Sequence, residues 1–414
     1  MSNEENNIQT RIEKIDSEEI EEVKAQKTTY FEEHPVKVVV LSLIVILILS
    51  FIFTVYFNPF GINLLQQSLI SIERAALYIM VSVGLTLTTR VLKFGNFAHA
   101  EFLTVGVYTA FVISSIDFFT GTCFGGFCLD NVFLMIIYVF IFTGLMGILG
   151  EYLVFGPLRR RDATPLSLMV ASIGLGLVIR QVIAEIFDST YKRVEIKYPE
   201  FFDSIGEGLQ NLGFLGNLLG LWFNQFTEFN LPGGRYDVRL SRDFAWGITV
   251  MVLLIWGMRL IFTRTTLGIS MRATADDASL AQISGINTDY VIYWTWFIAA
   301  GVTGVGAFFL IAPINFIPAS GFAQLLIIFA VVTLGGFDSF EGTLVSGFII
   351  SFIQTLTILV NNEILEMETR QGRKLVFWST NQNWSLAGPF FIIILVLIFR
   401  PRGIFGLIDP KAKL

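Results

Sequence analysis

The chain alternates long apolar runs with short polar breaks. A helix crosses a hydrocarbon core about 30 Å thick with roughly 20 apolar residues. Ten stretches meet or approach that length: 36–57, 64–89, 96–116, 131–156, 166–188, 243–263, 288–311, 322–336, 340–361 and 385–400. The eighth is short and is divided from the ninth by Gly335-Gly336, so it reads as a half-crossing as readily as a full one. Two longer polar segments, 189–242 and 362–384, interrupt the series. The pattern predicts an all-α polytopic membrane bundle of about ten transmembrane helices.

Composition agrees. Of 414 residues, 54% are hydrophobic and 15% charged, and the mean hydropathy is +0.67. This excludes a disordered chain, a disulfide-rich miniprotein and an ordinary cytosolic enzyme. A net charge of −6 argues against nucleic acid as a partner. Much of the acidity lies in residues 1–35, a cytoplasmic tail with ten Asp/Glu against four Lys/Arg and an apolar stripe of Ile12, Ile15, Ile20 and Val23. The first apolar run begins near Val36, too far from Met1 for a cleavable secretory signal. Residues 36–57 then form a leading span.

Orientation follows the positive-inside rule. Basic residues mark alternate connections: Arg90 and Lys93; Arg159, Arg160 and Arg161; Arg264 and Arg272; and the end, Arg400 to Lys413. The connections 58–63, 117–130 and 312–321 contain no Lys or Arg. Both termini are expected in the cytoplasm, including the tail 407–414. The nine basic residues of 189–242 and 362–384 run against this, although acidic residues accompany them.

Catalytic chemistry is missing. There are two His, His34 and His99, and no phosphate-binding Gly-x-x-x-x-Gly-Lys-Ser/Thr, His-Glu-x-x-His or Gly-x-Ser-x-Gly pattern. No catalytic residue or metal site is expected; Asp276-Asp277 has no second acidic cluster as partner. Cys123 and Cys128 share one loop and are either a small disulfide or two thiols. Among ionisable residues inside spans, Glu73 and Arg74 are adjacent, and Glu151 has Arg159 nearby. Arg180 either faces a pathway or pairs with Glu73. Asn96, His99 and Glu101 form an interhelical hydrogen-bond set or the polar lining of a pathway. Gly174, Gly176, Gly301, Gly304 and Gly306 read as close helix contacts.

The connection 266–287 is the most informative segment. Between Gly268 and Gly285 lie helix formers and small residues without Pro or Gly, predicting one helix of about four turns that Gly285 ends. Residues 273, 275, 278, 279, 281 and 284 are small, leaving a slim surface for another protein; otherwise the segment is a solvated connector.

This loop resembles the coupling-helix motif of permease subunits of branched-chain amino acid ABC importers, matching at Gly268, Arg272, Ala273, Ala275, Asp276, Asp277, Ala281, Gly285, Ile286 and Asn287. Ile269 and Ser270 depart from it. Asn96-Phe97-Ala98-His99-Ala100-Glu101 is similar to the family's Asn-Phe-Ala-His-Gly-Glu block, closer to the H-type than the M-type subunit. Leu334-Gly335-Gly336-Phe337-Asp338-Ser339 resembles its Leu-Gly-Gly-x-Gly-Ser, and Pro401-Arg402-Gly403-Ile404-Phe405-Gly406 its terminal block.

The resemblance implies a transmembrane domain over 58–406 and a non-enzymatic permease in the cytoplasmic membrane. Gly268, Arg272, Ala275, Asp276, Asp277, Ala281 and Gly285 would couple it to an ATPase. Asn96, Phe97, His99, Glu101, Gly335 and Gly336 are its candidate pathway or gate. The implied partners are a second, M-type-like permease, two ATP-binding subunits carrying ATP and Mg, an extracytoplasmic binding protein and membrane lipid. The implied cargo is branched-chain or other apolar amino acids, with urea or short amides as the alternative. An ion-coupled secondary transporter would instead need paired midplane acids.

Overall fold

The computed structural model describes residues 44–52, 64–116, 118–119, 122–124, 127–199, 201–210, 213–230, 237–359, 387–399 and 403. The expected span 36–57 is therefore described only at 44–52, which is helical, and the segment 362–384 and both tails lie outside the described residues.

Every other predicted span contains a helix. In order these are α1 (Leu64–Leu92), α2 (His99–Ser115), α3 (Val132–Gly150), α5 (Pro165–Phe187), α8 (Arg242–Arg264), α11 (Thr288–Ile311), α12 (Ser320–Gly335), α13 (Phe340–Leu359) and α14 (Ala387–Phe399). A π turn, Glu151–Phe155, extends α3 into the short α4 (Gly156–Arg159). Six helices among the described residues are long and apolar enough to cross a membrane, while α12 and α14 are shorter apolar helices. The chain is thus an all-α polytopic membrane bundle.

Helices α1 and α11 form the centre. α11 packs on α1, α2 and α3, and α13 packs on α1. Lipid tails are as apolar as Leu, so close backbone approach has to hold such helices together. Gly106 of α2 faces Gly304 of α11 so closely that a Cβ on Gly106 would lie 2.6 Å from the Gly304 Cα. Gly301 and Gly306 meet Phe140 and Val81 in the same manner, and Gly176 lies under Ala98 and Glu101. Gly174 does not fit the expectation, having no atom within 4 Å of its would-be Cβ. Two residues along a helix is 200° of rotation, so only one of the pair faces the bundle.

The rim helices turn apolar faces outward, as Ile137, Ile141, Phe142, Leu145 and Leu149 do on α3. The described part of 189–242 covers one end of the bundle, here termed the insert end; the connection 265–287 lies at the loop end. The insert contains α6 (Phe201–Gln210), α7 (Gly213–Gly220) and the antiparallel hairpin of β3 (Phe226–Asn230) and β4 (Asp237–Ser241). The hairpin docks on α1 through Gln66, which donates to the Arg239 carbonyl at 2.8 Å and accepts its N–H at 2.9 Å. Arg242 bonds Asp203 at 2.9 Å and covers the Tyr198 ring at 4.1 Å. Burial and the adjoining Asp243 carboxylate hold the Tyr198 hydroxyl pKa well above its usual value. A second two-stranded hairpin, β1 (Cys123–Phe124) and β2 (Phe127–Cys128), has its cysteines joined by a disulfide.

Candidate functional site

Two regions gather the residues singled out above. At the loop end, the expected single helix over Gly268–Gly285 is two helices, α9 (Thr266–Asp276) and α10 (Ala278–Ile283). The break is Asp277, whose backbone is extended at φ −153° and ψ 108°. Its Oδ1 accepts the N–H of Ser279 at 2.9 Å, the N–H of Leu280 at 3.0 Å and the Ser279 hydroxyl at 2.6 Å. Asp favours such a cap over a helix interior, because its short carboxylate satisfies N–H groups that a helix start leaves free. Those bonds hold the Asp277 carboxyl pKa below its usual value, the Ser279 hydroxyl foremost. Gly285 ends α10 at φ +85°, left-handed geometry that suits glycine.

The corner is tied down on both sides. Gly268 lies against the α8 backbone at Ile261 and Phe262, and Arg272 donates to the Phe262 carbonyl at 2.5 Å. Gln282 donates to the Thr288 hydroxyl of α11 at 2.7 Å. Gly268, Ala275 and Ala281 are buried, whereas Asp276, Asp277 and Gly285 are exposed. Arg272 is half-buried and tied to α8 by that bond. The sequence reading passed over Leu280 and the 85%-exposed Ile283, an apolar knob on α10. Their three-residue spacing among small side chains was the available signal.

The second region lies inside the bundle. His99, the first residue of α2, places Nε2 3.1 Å from the Val81 carbonyl and 2.8 Å from the Thr303 hydroxyl. Val81 is 11 residues, about 17 Å, before the end of α1. After α1 ends, with Lys93 at φ +59°, the chain therefore turns back into the bundle before α2 starts. Helix α12 also starts inside, with Gly321 against Ala100 and Thr104 of α2. From this junction α2 runs to the insert end and α12 to the loop end.

Asn96 and His99 are fully buried and Glu101 is 1% exposed. Asn96 Oδ1 accepts the Ala98 N–H at 3.0 Å. Arg180 pairs with Glu101, not with Glu73: its Nε donates to Oε1 at 2.9 Å and its Nη2 to the same oxygen. The Thr104 hydroxyl serves Oε2 at 3.1 Å. The other face of the guanidinium stands 4.2 Å from the Phe322 ring of α12. Phe97 stacks on Phe329 at 4.8 Å and its N–H donates to Ser172 at 3.0 Å. Phe322 and Leu326 stay exposed, so Arg180, Phe97 and one α12 face form a continuous wall. Gly335 and Gly336 are elsewhere, packing on Gly342 and Gly403 where α12 turns into α13. Glu151 binds Arg159 at 2.6 Å and the Trp296 indole N–H at 2.8 Å, a brace between α3 and α11. Among the described residues no group of three or more His, Cys, Asp or Glu is placed to hold a metal.

An apolar bundle with two helices starting at a buried, charged junction, and a tied corner at one end, defines a multi-pass membrane protein of transporter type. The family profile described as "branched-chain amino acid transport system / permease component" matches residues 68–397. The chain belongs to that family of permease components, which are transport subunits rather than enzymes. It is similar to the high-affinity branched-chain amino acid transport system permease protein BraD of Pseudomonas aeruginosa, 26% identical over 83% of this chain and 95% of that protein. The Escherichia coli K12 counterpart LivH is 24% identical over 83% and 95%. A probable LivH of Methanocaldococcus jannaschii is 26% identical over 68% and 76%. No solved structure matches the chain.

Proposed function

We propose that this chain is one permease subunit of an ATP-driven importer, and that it carries branched-chain or other apolar amino acids across the cytoplasmic membrane. The names of its relatives support the cargo. The α9–α10 corner carries the mechanism, presenting Leu280 and Ile283 outward while bonded to α8 and α11. On this reading both termini and the corner face the cytoplasm, where two ATP-binding subunits hold ATP and Mg. A second, M-type-like permease completes the pathway, and an extracytoplasmic binding protein delivers cargo at the insert end. The chain itself binds no cofactor.

A groove on an ATPase takes up the Leu280–Ile283 knob. When the ATPases close on ATP, the corner moves, and its ties carry the motion into α8 and α11. Thr303 of α11 holds His99, so the start of α2 moves with it. The wall of Phe97, Arg180, Phe322, Leu326 and Phe329 faces the second permease and opens alternately to each side. A ligand drives such a change only by binding one state more tightly, and ATP supplies that difference.

The test is mild-detergent recovery of the tagged full chain with mass spectrometry of what accompanies it. We expect a second permease and phosphate-loop ATPases, with Ile283→Asp losing the ATPases and keeping the permease. A lone polypeptide, from a lysate shown to contain those ATPases, overturns the reading. Competition of labelled leucine uptake by isoleucine, valine and urea then separates amino acid from amide cargo.

A further inference from the structure

Helices α3 and α5 part as they approach the insert end, because α5 rests on α2 and meets α3 chiefly through the π turn. Between them opens a fissure of about 240 Å³, lined by Val105, Tyr108 and Val112 of α2, Phe142 of α3, and Ile183 and Phe187 of α5. Its mouth is on the outward, apolar side of the bundle. Phe142 is 56% exposed, and Ile141 and Leu145 of α3 and Val178, Val182 and Ile186 of α5 are exposed hydrophobics.

Two polar side chains, Tyr108 and Thr109, break this lining. Tyr108 is 3% exposed and its hydroxyl has no hydrogen-bond partner. The nearby Thr109 hydroxyl is already engaged with the Val105 carbonyl at 2.8 Å. The Tyr108 ring packs 5.0 Å from Phe187, the last residue of α5, and 5.3 Å from Phe316. The buried, unpartnered hydroxyl therefore lies close to the insert-end boundary of the bundle. A buried hydroxyl without a partner is unfavourable, and an acceptor arriving with a ligand would relieve it.

The strand of chain over that boundary carries Lys192, Arg193 and Lys197 together with Asp188 and Glu195. Residues 188–197 run from the end of α5 to the start of α3, held by Lys192 N–H to the Phe316 carbonyl at 2.9 Å and Val132 N–H to the Lys197 carbonyl at 2.7 Å. Lys197 is neutralised by Asp130 at 2.6 Å, whereas Lys192 and Arg193 have no carboxylate within ion-pair distance among the described residues. The Lys192 ammonium stands 5.7 Å from the Phe111 ring centroid, and Phe111 packs edge-on to Phe187 at 6.1 Å.

We propose that this fissure binds one anionic phospholipid of the leaflet at the insert end. An acyl chain fills the groove, an ester carbonyl accepts the Tyr108 hydroxyl, and the phosphate lies toward Lys192 and Arg193. A lipid tail suits the space better than a polypeptide. A helix is about 10–12 Å across, and non-helical backbone would bring unsatisfied polar groups into an apolar cleft. The proposal is independent of the transported cargo.

The experiment uses the full chain in phosphatidylcholine nanodiscs carrying a trace of diazirine-tailed phosphatidylglycerol or, separately, of phosphatidylcholine with the same tail. Crosslinks are mapped by mass spectrometry and normalised to Val252, Leu253 and Trp256 on the exposed face of α8. We expect labels concentrated on 105–113 and 183–187 and stronger with phosphatidylglycerol. Lys192→Gln, a surface change that leaves the groove intact, should lower that headgroup preference by about fivefold while labelling persists. Val112→Trp should remove the labelling. Fissure labelling no denser than on α8, or equal labelling by the two headgroups, would each overturn the proposal.

Discussion

Replacing Arg180 with Met tests the buried junction most directly. The wild-type guanidinium makes two bonds to Glu101 Oε1, and its side chain is 23% exposed against 1% for the carboxylate. Met keeps the apolar stem and its contact with Phe322 but leaves Glu101 with only the Thr104 hydroxyl at 3.1 Å. Breaking one side of a buried pair costs about 3–5 kcal/mol, mostly because the remaining charge has no counterion. Glu101→Gln alone leaves a partly exposed guanidinium that reaches water, and should cost about 1–2 kcal/mol. In the double variant the stranded charge is gone, so the loss should fall below the sum of the singles by about 2 kcal/mol. Reversible unfolding in mixed micelles, read by tryptophan fluorescence, gives the three free energies. Additivity within about 0.5 kcal/mol would refute the claim that the two side chains stabilise one another.

Three further outcomes follow from other contacts. Gly106→Ala should cost about 1–3 kcal/mol through its clash with Gly304, whereas Gly174→Ala, which meets nothing, should be neutral or slightly stabilising in the isolated chain; the same micelle assay compares them. Gly285→Val should weaken ATPase recovery and Gly285→Asn should preserve it, since the position has open space around it and only its left-handed backbone is demanding. The Asp277 cap stabilises α10 through a carboxyl whose folded pKa lies below the unfolded value, so its contribution is full above that unfolded value, about 3.9, and disappears as pH falls through the folded one. Hydrogen exchange at Ser279 and Leu280, corrected for intrinsic rates, should show steady protection from pH 8 down to about pH 5 and loss only below about pH 4. A loss centred near neutrality would contradict this origin for the cap.

Helices were legible because burial in lipid demands length and apolarity, both of which lie along one dimension of the chain. The short run at 322–336 left a half-crossing and a full one open, and α12 is a 16-residue apolar helix. Partners were harder. Arg180 and Glu101 are 79 residues apart, and the sequence offered only a pathway-facing position or Glu73 for Arg180 until the bundle placed α5 against α2. The corner shows a different limit. Counting helix formers from 268 to 285 predicted one helix, yet Asp277-Ala278-Ser279 is also a cap, and the local hydrogen bonds won. A carboxylate followed two residues later by Ser marked the break, had capping been weighed against propensity. Gly174 and Gly176 were separable too, since residues two apart cannot share a helix face.

Burial separates the two ways in which the junction could serve transport. Asn96, His99 and Glu101 are the polar residues of the family-like block, and a pathway lining was one reading of them. In the folded chain each is enclosed: Asn96 closes the turn before α2, His99 bridges α1 and α11, and Glu101 holds α5. His99 and Glu101 would have to break their bonds to other helices to meet a passing solute, in surroundings where no water replaces them, whereas Asn96 holds only its own turn, and its Nδ2 and His99 Nδ1 have no partner. They fix where α2 begins, and what they leave open is the apolar face of Phe97, Phe322, Leu326 and Phe329 with one guanidinium behind it. Such a surface offers little to a highly polar solute and much to an apolar side chain. Phe322→Ser should therefore raise the KM for leucine uptake while recovery of the ATPases stays normal. A variant that instead lost its ATPases would place Phe322 in the fold rather than in the pathway.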